Sequence, residues 1–121
     1  MNSKDLQQRL KNFAIRLVPL CEVLPAKRIS KIIEDQLLRS GFSAAANYRA
    51  ACNAQSKKAF NAKLSIALEE IDEASFWLEM IAGLELVKHE KLSLILMEAN
   101  ELTRILGASR RTVARNLKID N

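Results

Sequence analysis

Turn chemistry is nearly missing from this chain: three glycines and two prolines are spread over 121 residues. An all-β fold needs a turn about every ten residues, and so few Gly and Pro cannot supply them. Cysteine is also scarce. Cys21 and Cys52 form neither a C-x-x-C pair nor a disulfide framework, and each stands among apolar or small neighbours that suit buried packing. The one histidine, His89, has Leu86 three residues before it, so the paired Glu-x-x-His of a di-iron bundle is absent. No Gly-x-Gly-x-x-Gly or Walker loop occurs. No apolar run approaches the ~20 residues of a membrane span. The segment Met1–Leu10, polar and mixed in charge, does not read as a signal peptide. The expected location is therefore cytoplasmic, with reduced thiols.

What the chain does have is apolar residues at three- and four-residue spacing almost throughout, the period of a helix. At 49% hydrophobic and 27% charged residues it has the balance of an ordinary globule, and its length suits a single domain over residues 1–121. The first helical segment carries Leu6, Leu10, Phe13, Leu17, Leu20 and Leu24 on one face, with Pro19 predicting a kink or an early end. Pro25 marks the break before a second segment bearing Ile29, Ile32, Ile33, Leu37 and Leu38. Within it, Gly41 is a point where the helix can relax, and Ala44, Ala45 and Ala46 allow a neighbouring helix to approach closely. Ser56 is the N-cap expected for a third segment, from Phe60 through Leu64, Leu68, Ile71 and Leu78 to about Gly83. The fourth runs from near Lys88 through Leu92, Ile95, Leu102 and Leu106, towards Leu117. Four amphipathic segments with short connections predict an all-α, antiparallel up-down-up-down four-helix bundle.

No constellation of nucleophile and base accompanies this pattern. Glu69, Glu70, Asp72 and Glu73 cluster, but such a run reads as surface charge, and no cofactor or metal site is expected. The sequence does not read as an enzyme. Its charge is +5, with a pI near 9.5, which is compatible with nucleic acid. The basic candidates are Lys57, Lys58, Arg104, Arg110, Arg111, Arg115 and Lys118, which an up-down-up-down order gathers at one end, joined by Lys4 and Arg9. Lys27, Arg28 and Lys31 fall at the other end. No aromatic residues interleave these cations, so the expected contact is with nucleic-acid backbone and not with bases. Residues 102–118 also resemble a helix-turn-helix, with a turn at Gly107 and Ser109-Arg110-Arg111-Thr112-Val113 opening a recognition helix. The alternative is one continuous terminal helix whose basic end suits the macrodipole.

The stretch Leu37-Leu38-Arg39-Ser40-Gly41, with Asn47-Tyr48-Arg49, then Ser56, Phe60, Lys63-Leu64, Ile66-Ala67-Leu68-Glu69-Glu70, Glu73 and Trp77 is similar to a known family. It resembles the four-helix-bundle proteins encoded in intervening sequences of bacterial large-subunit (23S) rRNA. The resemblance implies a bundle that assembles into ring-like homopentamers. It also implies kinship with the accessory protein of diversity-generating retroelements, a basic bundle that partners a reverse transcriptase and binds nucleic acid.

The matched polar and aromatic positions are Asn47, Glu70, Glu73 and Trp77. The last three share a helix face by their spacing. Antiparallel packing of the second and third segments turns Asn47 toward that stripe, predicting an interhelical hydrogen-bond network that sets register. The expectation is a self-assembling, non-enzymatic binding or scaffold module that contacts RNA or DNA backbone without sequence preference. The alternatives are a regulator using residues 102–118, or a protein-interaction adaptor with no nucleic-acid role.

Overall fold

A computed structural model describes residues 1–120, with side chains through Leu117. It contains four helices: α1 (Ser3–Glu22), α2 (Arg28–Cys52), α3 (Lys57–Gly83) and α4 (His89–Asp120), with no strand among the described residues. The connections 23–27, 53–56 and 84–88 are too short for anything but antiparallel neighbours. Packing follows the chain around the bundle: α1 on α2, α2 on α3, α3 on α4, and α4 back on α1, while the diagonal pairs have no close backbone approach. The predicted up-down-up-down four-helix bundle is the observed fold.

Local chemistry explains each helix end. Asn2 caps α1 in a reciprocal box: its Oδ1 accepts from the Asp5 amide at 2.9 Å, and the Asp5 carboxylate accepts from the Asn2 amide at 3.2 Å. Ser56 caps α3 by accepting from the Ala59 amide at 3.1 Å. After α3 the chain closes a Schellman turn, in which Leu86 N–H donates to the Ile81 carbonyl and Glu85 N–H to the Ala82 carbonyl. Glu85 takes the left-handed position, at φ 53°. Leu86 then tucks against the core as the apolar partner such a turn favours.

Three expectations are corrected. Of the two effects expected of Pro19, the early end does not occur, for the helix runs on to Glu22. Pro19 and Ile15 both lie on the exposed side, where water can satisfy the carbonyl that the missing N–H leaves free. Gly41 does not relax α2; it is buried in an unbroken helix at the closest approach of α1. And α4 is continuous through Gly107, so residues 102–118 do not form a helix-turn-helix. A glycine inside a helix costs only about 1 kcal/mol, and Leu102, Leu106 and Val113 keep a single apolar face across it.

The core is one cluster drawn from all four helices. Leu10, Leu17, Ile33, Leu37, Leu64, Ile71, Leu78, Leu102 and Leu106 are each fully shielded from solvent, and each such side chain contributes roughly 1.5–3 kcal/mol by burial. Helix lengths are unequal. At 1.5 Å per residue, the 32 residues of α4 span about 48 Å and the 20 of α1 about 30 Å. Nearly four turns of α4 run beyond the core's last fully buried leucine, Leu106; there Val113 packs against the core and Arg110 Nε donates to Ser65 Oγ of α3 at 3.0 Å.

Candidate nucleic-acid interface

The charge of this bundle is strongly polarised along its axis. Residues 36–68 and 102–119 contain no Asp or Glu. The antiparallel order brings the second halves of α2 and α4 and the first half of α3 into the same half of the bundle, so both acid-free segments coincide there. The opposite end is mixed: Lys27, Arg28, Lys31, Lys88 and Lys91 share it with Glu22, Glu34, Glu79, Glu85 and Glu90.

Two contacts set the register of α3 and α4. Ser75 Oγ meets Thr103 Oγ1 at 3.4 Å, and Arg110 meets Ser65. This places the exposed Lys57 and Lys58, which open α3, beside the final turns of α4 that carry the exposed Arg111 and Arg115. Arg104 is not at that end. Its neighbour Thr103 meets Ser75 within the bundle, and Arg104 itself stands about 9 Å of helix rise before Arg110. By seven- and four-residue spacing, Arg104, Arg111 and Arg115 nevertheless lie on one exposed face of α4. They form a track along the helix more than a cap on its end. Position 118 continues the spacing, but the Lys118 side chain is outside the described residues. Arg110 points to α3 and spends one donor on Ser65.

Arg9, expected to join this basic group, is occupied elsewhere. It grips Glu98 with both Nε (2.9 Å) and Nη2 (2.8 Å) and reaches Glu101 at 3.0 Å, bridging the sparse α1/α4 seam. Those hydrogen bonds hold the Glu98 carboxyl below its usual range.

The expected polar network exists around a different centre. Arg39 of α2 pairs with Glu70 at 2.7 Å and with Glu73, both on α3, and also donates to Gln36 at 3.1 Å. Trp77 Nε1 donates to the same Glu73 carboxylate at 3.0 Å. The indole bond first, and then Arg39, hold Glu73 below the ordinary carboxylate range against the opposing effect of its partial burial. Glu70, Glu73 and Trp77 thus belong together. Asn47 does not join them: its Nδ2 donates within α2, to the Ser43 carbonyl at 2.9 Å and the Ser43 hydroxyl at 3.0 Å. A half-buried amide with a partner four residues back needs none across the interface. Arg39 was visible in the Arg39-Ser40-Gly41 stretch, and its long fork, which asparagine lacks, is what spans the helix gap.

Burial, with a contribution from Glu34, pushes the Cys21 thiol up to about 12, and Cys21 and Cys52 are unpaired. Among the described residues no His, Cys, Asp and Glu group is arranged to hold a metal ion, and no helix is long and apolar enough to cross a membrane.

These features define an all-α bundle whose polar side chains tie helices together, and whose exposed face of α4 carries Arg104, Arg111 and Arg115. The chain belongs to the 23S rRNA-intervening sequence protein family, which matches residues 3–108. The match ends before Arg110, Arg111 and Arg115. Among solved structures it is similar to a protein of unknown function from the S23 ribosomal protein family of Bacteroides thetaiotaomicron. The two are 32% identical with a TM-score of 0.82, over 92% of this chain and 99% of the other. No curated protein matches the chain.

Proposed function

We propose that this protein is a non-enzymatic, self-assembling scaffold of the cytoplasm that holds RNA or DNA by its phosphate backbone, along the α4 face of Arg104, Arg111 and Arg115 and the neighbouring Lys57 and Lys58. The observation that carries the reading is the coincidence of two acid-free segments in one half of the bundle. Exposed guanidinium groups on a helix that make no ion pair among the described residues favour phosphate and carry no base code. In a homopentamer, as the family resemblance implies, the +5 of each chain becomes about +25 per ring. A nucleic-acid enzyme such as a reverse transcriptase is the partner this resemblance suggests.

The test is fluorescence anisotropy with RNA and DNA of unrelated sequences, titrated with salt. The expected result is similar affinity for every sequence and a steep salt dependence, with a log–log slope that falls by about 1–2 in Arg111→Glu/Arg115→Glu. Preference for one sequence, or no binding at low salt, overturns the reading. A role as a protein adaptor without nucleic acid is the second reading, favoured by Leu94 and Met97 of α4, which are 69% and 65% exposed.

A further inference from the structure

Two exposed apolar faces of this bundle are flanked by charges of opposite sign, and they lie on different sides of it. The first is a groove of about 650 Å³ between α1 and α2, with Ala14, Ile15, Phe42 and Ala45 along its floor and Lys4, Lys11 and Arg49 around it. Ile15 is 57% and Phe42 48% exposed, unusual for side chains of that size. The second is the outward face of α3, where Ile66 (40% exposed) and Phe76 (48%) alternate with Glu69, Asp72 and Glu79. Phe76 is braced edge-on against Trp77, with ring centroids 5.0 Å apart, and so stands as a fixed knob. The groove's cations and the stripe's acids make no ion pair among the described residues.

We propose that the α1/α2 groove of one protomer receives the outer α3 stripe of a second copy of this chain. The proposal deepens the assembly part of the function above and rests on it, while its nucleic-acid part can fail independently. The occupant follows from what each face lacks. The groove is apolar with a cationic rim and wants an apolar stripe flanked by acids, which α3 carries with its acids unspent. The exposed pair Leu94 and Met97 of α4 fits less well: the adjacent Glu98 and Glu101 are already held by Arg9, and Lys91 and Arg104 on the same helix would meet the groove's cations. A protomer cannot fill its own groove, because α3 stands diagonally across the bundle from α1 and its exposed face points away from the groove. The contact is therefore heterologous, groove to stripe, which builds a ring when the rotation closes. It also leaves the α4 face of Arg111 and Arg115 uncovered.

The experiment is light scattering and sedimentation of the full chain, without nucleic acid, over a range of concentrations. Four proteins are compared: wild type, the groove reversal Lys11→Glu/Arg49→Glu, the stripe reversal Glu69→Lys/Asp72→Lys, and all four changes together. All four positions are exposed, and thermal melts by circular dichroism confirm that each variant folds. The wild type is expected to be a multimer. Each double reversal should raise the concentration needed for half-assembly at least about tenfold, since it opposes like charges. The quadruple variant should return to within about threefold of wild type, because its acidic groove meets a basic stripe. Phe42→Ser, which leaves charge untouched, should also weaken assembly. A monomeric wild type overturns both this contact and the assembly reading. A multimer indifferent to both reversals, or a quadruple variant that stays dissociated, overturns the contact alone. So does a multimer that Met97→Glu dissociates while the reversals do not.

Discussion

Gly41 of α2 lies so close to Leu17 of α1 that a Cβ added at 41 would stand 2.2 Å from the Leu17 Cδ1 atom. Leu17 is fully buried, so it has little room to give. Gly41→Ala is expected to lower stability by about 1–3 kcal/mol, despite the ~1 kcal/mol that alanine gains over glycine in a helix. Chemical denaturation measures this, and a double-mutant cycle with Leu17→Ala should show a coupling of about 0.5–3 kcal/mol. If alanine at 41 is neutral in the wild-type background, the close approach is not limiting.

Gly107 is the contrasting glycine. A Cβ there would meet only the Arg111 guanidinium, at 3.6 Å, an ordinary contact. In a continuous helix Gly107→Ala should therefore stabilise the protein by about 0.5–1 kcal/mol, read as a higher denaturation midpoint. A destabilised variant would point back to a turn at this position.

Glu85 pays for the left-handed φ of 53° in the α3–α4 connection. Glycine carries no such penalty, so Glu85→Gly should stabilise by about 0.5–1 kcal/mol, a net value after its looser unfolded state is counted. A thermal melt should show a gain of a few degrees.

The carboxylates of Glu73 and Glu98 are both held below the ordinary value of 4.5 in the folded chain. A depressed folded value means that the unfolded chain binds protons first as the pH falls. Their contribution is thus present above about pH 4.5 and is lost as the pH drops through the folded values. The urea midpoint should fall on going from pH 6 to pH 3, and fall less in Glu73→Gln/Glu98→Gln. Protonating Glu73 also removes the charged acceptor of the indole N–H, so Trp77 emission should titrate over the same window.

The helices, their approximate limits and the Ser56 cap were legible in the linear chain, because the 3.6-residue period and side-chain capping depend only on neighbours a few positions away. The same reasoning reached Glu70, Glu73 and Trp77 as one face of a helix. It did not reach Arg39, whose role exists only once α2 and α3 are side by side, and it set Asn47 where Arg39 stands. The two acid-free segments were also written in the sequence. Their meaning was not, since they are joined only by the antiparallel order of the helices.

Gly41 and Gly107 separate the two levels most clearly. Both are glycines inside amphipathic helices, and local rules treat them alike, as weak points with a modest cost. Packing makes one indispensable to the α1–α2 approach and leaves the other without a close neighbour. Arg9 and Arg111 divide in the same way. Composition counts both toward a net charge of +5, but Arg9 meets Glu98 and Glu101 across a helix seam, and Arg111 lies on an exposed face. Period and composition are properties of the chain taken a few residues at a time, and they were sufficient for four helices and a basic protein. Which charges are spent and which remain for a partner depends on distances between residues far apart in sequence, and only the packed bundle sets those.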